Sequence, residues 1–249
     1  MDIKGKVAVV TGATGGLGKI ICKKLAENGA NVVIGYNSSR AEAEKLIEQL
    51  HSVHLGHLVA EAPVTQSQKL YKLAEKVERI FGRCDILINC AGITRFVEHS
   101  HLDELDDDLI DSILATNIRG PIAMTRAFQN LLNKSEEAII LNISSIAAKT
   151  AMGSNIAYCA SKAALDNLTI SLARALAPKI RVISIAPGLT DTDFVKALDQ
   201  DWRNIQQQLT PLERLAYPEE IAQAVIAAIG HLTFTTGTVI PVDGGRPIN

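Results

Sequence analysis

Short apolar runs rich in Val and Ile alternate along this chain with longer stretches whose apolar positions recur three and four apart. The runs at 7–10, 31–34, 85–88, 138–143, 181–185 and 238–242 predict strands, and a third strand in chain order ends just before Ala62. The longer spacing predicts helices over 19–27, 41–50, 70–81, 109–132, 155–177 and 218–229, with Gly29 stopping the first. Strands that are apolar without alternation are covered on both faces, and a helix between successive strands makes neighbours parallel through right-handed crossovers. The pattern therefore predicts an α/β fold: a doubly wound parallel sheet with helices on both faces. No linker, repeat or low-complexity tract divides it, so residues 1–249 read as a single domain with an insertion at about 189–213.

Composition narrows the partners. The chain has 47% hydrophobic and 21% charged residues and a formal net charge of −2, without the basic balance that nucleic-acid binding needs. A small-molecule ligand is expected. The first residues lack a signal-peptide apolar region, and no segment holds the roughly 18 apolar residues of a membrane span, so the expected compartment is the cytoplasm. Cys22, Cys84, Cys90 and Cys159 are scattered without a C-x-x-C pair, which suits reduced thiols better than disulfides or zinc. His51, His54 and His57 lack an acidic or cysteine partner, and the six acids within 103–111 lack the spacing of a calcium loop, so no metal site is expected.

The first strand runs into Thr11-Gly12-Ala13-Thr14-Gly15-Gly16-Leu17-Gly18. Glycines at a strand-to-helix turn let backbone approach a phosphate, and the free N–H groups of the next helix bind the anion. A Rossmann-like dinucleotide site fits, although the spacing departs from G-x-G-x-x-G and a glycine-rich stretch also makes a plain tight turn.

Tyr158 and Lys162 are four apart and share one helix face, with Ser145 thirteen residues upstream of Tyr158. A tyrosine ionises at a pKa of about 10, so its use as an acid or base near neutrality needs a nearby positive charge. Lys162 would supply it. Taken alone, the pair also reads as packing beside a solvated charge.

The T-G-x-x-x-G-x-G turn at 11–18, Asn89-Cys90-Ala91-Gly92, Asn117, Ser145, Tyr158 with Lys162 and Pro187-Gly188 occur together in one order. So do Pro218-Glu219-Glu220-Ile221-Ala222 and Val242-Asp243-Gly244-Gly245. Over essentially its whole length the chain resembles the short-chain dehydrogenase/reductase family. The resemblance implies hydride transfer between a nicotinamide and a carbonyl or alcohol carbon. Tyr158 would pass its proton to the substrate oxygen, Ser145 would polarise that oxygen, and Lys162 would lower the tyrosine pKa and bind the nicotinamide ribose. Asn117 would hold a water linking Lys162 to solvent and mark a kink in its helix. Gly12, Thr14, Leu17 and Gly18 would cradle the pyrophosphate. Asn89, Ala91 and Gly92 would lie beside the adenine ribose, with Val64 near adenine, and Pro187, Gly188, Thr190 and Thr192 would contact the nicotinamide. Pro63 stands where many relatives carry an aspartate.

The second strand ends in Gly35-Tyr36-Asn37-Ser38-Ser39-Arg40, without the carboxylate that an NAD site places on the ribose 2′-hydroxyl. Asn37, two hydroxyls and a guanidinium there favour NADP(H). Ser38 and Ser39 also suit capping of the next helix, with Arg40 solvated.

Residues 91–95 and 211–214 resemble the 3-oxoacyl-acyl-carrier-protein reductases of fatty acid biosynthesis, and similar stretches occur in sugar, polyol and ketone reductases. Carrier-protein docking needs basic residues at the entrance; Lys179, Arg126 and Lys134 are candidates, opposed by Glu136 and Glu137. Ile146, Ala147, Met152 and 189–209 are expected to contact substrate, with Phe194, Leu198 and Trp202 as a lid. A homotetramer is implied by the resemblance. Loss of the Tyr, Lys or Ser would have pointed to a non-enzymatic NADP-binding module, and all are present.

Overall fold

The structure is a computed structural model that describes residues 1–51 and 56–248, the Phe194 side chain excepted. Its strands are β1 (Val7–Val10), β2 (Asn31–Tyr36), β3 (Leu58–Glu61), β4 (Ile86–Asn89), β5 (Ala138–Ile143), β6 (Ile180–Pro187) and β7 (Thr238–Val242). They form one seven-stranded sheet in the order β3-β2-β1-β4-β5-β6-β7, parallel at every pairing. The Rossmann-like α/β expectation therefore holds. Its helices are α1 (Gly16–Glu27), α2 (Arg40–Glu48), α3 (Ser67–Phe81), α4 (Asp107–Leu114), α5 (Gly120–Asn133), α6 (Ala147–Thr150), α7 (Ile156–Leu176), α8 (Asp193–Lys196), α9 (Gln200–Gln208) and α10 (Pro218–Gly230).

Alternate residues of each strand feed opposite layers. Ala8 and Val10 of β1 join Ile86 and Ile88 of β4 under α1, α2 and α10, where Ile21, Leu25, Leu46 and Ile221 complete one core. Val7, Val9 and Leu87 face the other way, against Leu70 and Val77 of α3 and Met124, Phe128 and Leu132 of α5. Full burial of one such side chain contributes roughly 1.5–3 kcal/mol. Both cores are needed because a sheet covered on one face would leave half of these residues in water.

After β1 the chain turns outward to β2 and β3, then crosses back to lay β4 on the other side of β1. The carboxyl ends of β1 and β4 therefore diverge into a crevice, the position where open α/β sheets bind ligands.

The predicted helix 109–132 differs in detail. Asp106 caps α4 by accepting the Leu109 N–H at 2.8 Å, and a π turn over Ala115–Arg119 separates α4 from α5. Asp107 and Asp108 occupy the first turn of α4, so much of the acidic run complements a helix N-terminus. Among the described residues no cluster of His, Cys, Asp and Glu can hold a metal ion. His54 lies outside the described residues, and the His57 ring accepts the Val32 N–H at 3.1 Å. No helix of the described residues is long and apolar enough to cross a membrane.

Candidate active site

The crevice is built from the β1 turn outward. Thr11 Oγ1 donates to the Ile88 carbonyl and accepts the Cys90 and Ala91 N–H groups, each at 3.2 Å, clipping the β1 turn to the loop after β4. Gly12 has a φ of +62°, and a Cβ there would lie 2.7 Å from Ala91 Cα. A Cβ on Gly18 would lie 2.2 Å from the Gly12 carbonyl oxygen, so both positions require glycine. Gly15 precedes α1 without a side-chain cap, and the first turn carries no acid. Its free N–H groups and dipole therefore face the crevice as an anion site.

That part of the crevice is a lobe of about 600 Å³. It is lined by Gly12, Thr14, Leu17, Gly18, Asn37, Ser38, Ser39, Val64, Ala91 and Gly92 among the expected residues, and by Lys19, Thr65, Cys90 and Thr116 in addition. The glycine-walled lobe and the uncapped helix end fit a dinucleotide. Two expected contacts differ. Arg40 does not line the lobe: its side chain is 71% exposed, with Nε 2.8 Å from Glu44 Oε1. The pairing follows from the four-residue spacing on α2, which puts the two side chains on one face. Lys19 is the cation that does reach the lobe, 3.7 Å from Glu42. Asn89 also turns away, its Nδ2 donating to Asn142 Oδ1 at 2.8 Å inside the sheet.

The reacting groups come from the other side. Asn155 caps α7, accepting the Tyr158 N–H at 2.7 Å while its own amide donates to the Arg95 carbonyl at 2.7 Å. The cap fixes where the helix begins and so where Tyr158 projects. One turn on, Lys162 is 6% exposed, its Nζ donating to the Ile143 carbonyl at 2.8 Å and standing 5.6 Å from the centre of the Tyr158 ring. Ser145, at the end of β5, accepts the Ala147 N–H at 3.1 Å and so keeps its own O–H to donate. Ser144 turns inward to the Lys162 carbonyl at 3.4 Å. Behind it Asp166 faces Ser144 and Ser184, and burial raises its carboxyl pKa against the opposing effect of those hydroxyls and of Lys162.

Asn117 sits in the π turn, 1% exposed. Its Nδ2 donates to Ser161 Oγ at 3.0 Å and to the Ile93 carbonyl at 3.1 Å. Both amide hydrogens are therefore used, and its Oδ1 accepts the Ile93 N–H at 2.9 Å. Ser161 donates in turn to the Tyr158 carbonyl at 2.7 Å. Ser161 and Asn155 are not among the expected site residues, and Thr11 enters there only as the first residue of the glycine motif; Asn155, an Asn at a helix start, carries a legible signal of its own. Burial pushes the Cys90 thiol up to about 11, opposed by Lys162. Cys159 is buried, and a Cβ on Gly153 would come within 2.7 Å of its sulfur, so it packs behind that loop.

Tyr158, Lys162 and Ser145 open onto a second lobe of about 900 Å³, which shares Leu17, Cys90, Gly92, Ile93 and Thr192 with the first. Pro187, Gly188, Thr190 and Thr192 line it, Thr192 where the lobes join, and Ile146, Met152, Leu189, Leu198 and Trp202 form its walls. Ala147 is buried at 1% exposure and does not line it. The candidate docking cations are displaced. Lys134 and Lys179 precede β5 and β6, at the amino-terminal ends of the strands and so opposite the site, and Lys134 pairs with Glu78 at 2.5 Å. Arg126 donates to Ser67 Oγ at 3.2 Å. Glu136 and Glu137 also precede β5, so they do not oppose docking at the entrance.

Sheet order, glycine turn and the Tyr158–Lys162 helix together define a dinucleotide-dependent oxidoreductase. Residues 6–203 match the short chain dehydrogenase family, and the chain belongs to it, a family that uses NAD(P)(H). It is 34% identical to the 3-oxoacyl-acyl-carrier-protein reductase FabG of Escherichia coli over 247 residues, covering 98% of each chain. The enzyme of the same name from Thermotoga maritima is 31% identical over 250 residues, covering 100% of each. A solved Brucella melitensis structure, a short-chain dehydrogenase/reductase described as glucose/ribitol dehydrogenase, superposes with a TM-score of 0.92 at 27% identity over 98% of each chain.

Proposed function

We propose that this chain is a cytoplasmic, NADPH-dependent carbonyl reductase that converts a 3-oxoacyl thioester to its 3-hydroxyacyl form. The observation that carries the reading is the convergence of Tyr158, Lys162 and Ser145 where the dinucleotide lobe meets an apolar second lobe. The bound cofactor supplies the hydride that adds to the carbonyl carbon. Tyr158 gives its hydroxyl proton to the carbonyl oxygen as that oxygen gains charge, a step worth about 10²–10⁴ in rate. Ser145 donates its free O–H to the same oxygen. The Lys162 ammonium, fixed on the Ile143 carbonyl, stabilises the charge left on the phenol oxygen. Asn117 and Ser161 hold the π turn, the loop at Ile93 and α7 in register around it.

Preference for the phosphorylated cofactor rests on the end of β2. Asn37, Ser38 and Ser39 line the lobe there, its acid among the described lining residues being Asp193 from the start of α8 rather than from β2, and Lys19, 3.7 Å from Glu42, supplies positive charge. The thioester is favoured by the apolar walls and by the names of the FabG relatives. A polyol or small-ketone substrate is the second reading, favoured by the match to the Brucella structure. Apolar side chains exposed on α4, α5 and α7, namely Leu114, Ile122, Ile156 and Ile170, supply surface for a homotetramer, which light scattering would measure.

The test is NADPH oxidation with acetoacetyl carrier protein, free ketones and sugars side by side. Reduction of the carrier thioester above the others is expected. Turnover of sugars or ketones alone would move the assignment to the second reading, and inactivity across the panel with intact NADPH binding would favour a non-enzymatic module.

A further inference from the structure

The substrate lobe has a charge pattern that carbonyl reduction itself does not require. Among its described lining residues there is no Asp or Glu, and its permanent cations are Lys162 and Arg246. Lys162 serves the tyrosine. Arg246 enters from the far end of the chain, after β7, where Gly244 and Gly245 take φ values of +64° and +83°. Asp243 secures that turn by accepting the Gly245 N–H on Oδ1 at 2.9 Å and the Arg246 N–H on its carbonyl at 3.2 Å. A Cβ on Gly244 would fall 2.8 Å from Thr210 Cγ2, so the turn is packed tightly against the end of α9. It brings the half-buried guanidinium beside α9, where Nη2 lies 3.4 Å from Gln206 Oε1. No carboxylate among the described residues pairs with it. Gln206 and Trp202 stand one helical turn apart on α9 and line the same lobe. His99, whose Nε2 is 3.1 Å from the Gly153 carbonyl, and Cys90, whose thiol burial keeps protonated, are the remaining titratable groups of the described wall beside the lysine and tyrosine.

A guanidinium offers a planar fork of donors matched to carboxylate or phosphate oxygens. Held without an acidic partner among the described residues, in a lobe whose walls carry polar hydroxyls and amides but no Asp or Glu, it has donors to offer to whatever fills that space. We infer that Arg246 is a specificity-determining residue, and that the substrate carries an anionic group, carboxylate or phosphate, remote from the carbonyl that Tyr158 protonates. The inference rests on the carbonyl-reductase reading and narrows its substrate class. The anion can come from two sources: the phosphate of a pantetheine arm, or the terminal acid of a small free oxoacid.

Two matched pairs separate these sources. Acetoacetyl-pantetheine is compared with acetoacetyl-4′-phosphopantetheine, and ethyl 5-oxohexanoate with 5-oxohexanoate. The parent, Arg246→Met and Arg246→Lys are assayed for NADPH oxidation. The emission of Trp202, the single tryptophan of the chain, is titrated with the corresponding 3- or 5-hydroxy compounds in the presence of NADP⁺. In the parent the anionic member of one pair is preferred by about tenfold or more in kcat/KM, the scale of one charge-assisted hydrogen bond. Arg246→Met collapses that ratio and Arg246→Lys restores part of it, and the pair that responds identifies the source. A parent that reduces the neutral members without anionic preference overturns the inference and leaves the reductase reading intact. An equal ratio in parent and Arg246→Met overturns it too. If nothing is reduced but Trp202 still titrates more tightly with the anionic member, dependent on Arg246, anion recognition stands and the reductase reading fails. Absence of both turnover and differential binding removes both.

Discussion

Asn117 bonds both backbone groups of Ile93, its Oδ1 accepting the Ile93 N–H at 2.9 Å and its Nδ2 donating to the Ile93 carbonyl at 3.1 Å. This is the pairing one strand residue makes with another, performed by a side chain. With its further bond to Ser161 it joins the π turn, the loop after β4 and α7. Asn117→Ala strands donors and acceptors that are partly buried, and each such group costs about 1–3 kcal/mol. A loss of about 2 kcal/mol or more in urea unfolding is expected, together with a lower kcat. A variant as stable and active as the parent would show that the loop is held by other contacts.

Tyr158→Phe removes one hydroxyl and keeps the ring beside Lys162. A fall of about 10²–10⁴ in kcat is expected, while NADPH still titrates by fluorescence enhancement. Residual turnover near the parental rate would give the proton to another group.

Cofactor preference is expected to follow Lys19 rather than Arg40, because Lys19 lines the dinucleotide lobe whereas Arg40 lies along Glu44 on the surface. Lys19→Ala should raise the NADPH dissociation constant by about tenfold, one charge-assisted contact, with a smaller effect on NADH. Arg40→Ala should change the NADPH:NADH ratio little. The reverse order in isothermal titration would mean that Arg40 leaves Glu44 when the 2′-phosphate arrives.

Acid should loosen the start of α10. Glu220 accepts two bonds from Arg214 at 2.6 and 2.8 Å and the Tyr217 N–H at 2.8 Å. Arg214 first, then that amide, bring its carboxyl from an ordinary value of 4.5 down to about 2. Folding thus favours the ionised form, so its contribution is fully present above about pH 4.5 and is lost as the pH falls toward 2. Solvent screening keeps the contribution of so exposed a pair small. Glu220→Gln should therefore lower Tm slightly at neutral pH and flatten its decline between those values; parallel Tm–pH curves for the two proteins would sink the assignment.

The sheet was legible because parallel strands buried on both faces, such as Ile139, Ile140 and Leu141, read as unbroken apolar runs. The glycine turn and the Tyr158–Lys162 spacing were legible for the same kind of reason: each is a local arrangement. What escaped was set by which neighbour a side chain pairs with, by longer-range contacts, or by segments too short for periodicity. Helices α6 and α8 span four residues each and show no repeat to read. Arg40 looked available because the sequence shows its charge but not which neighbour claims it, although Glu44 stood at the pairing distance. Arg246 lies 84 residues beyond Lys162, and only the glycine-kinked chain end brings both to one lobe.

The π turn at Ala115–Arg119 makes the 107–133 segment a device that counts residues. Each α-helical residue advances about 100° around the axis, so one additional residue in a single turn resets the phase of everything that follows. Asn117 faces Ile93 and Ser161 behind the site while Phe128 and Leu132 face the core, and that offset lies at the start of the turn between them. Excising one residue there would swing the α5 face about 100° from the sheet, although the sequence would still read as an uninterrupted helix. Length at this point is coded as strictly as side-chain identity.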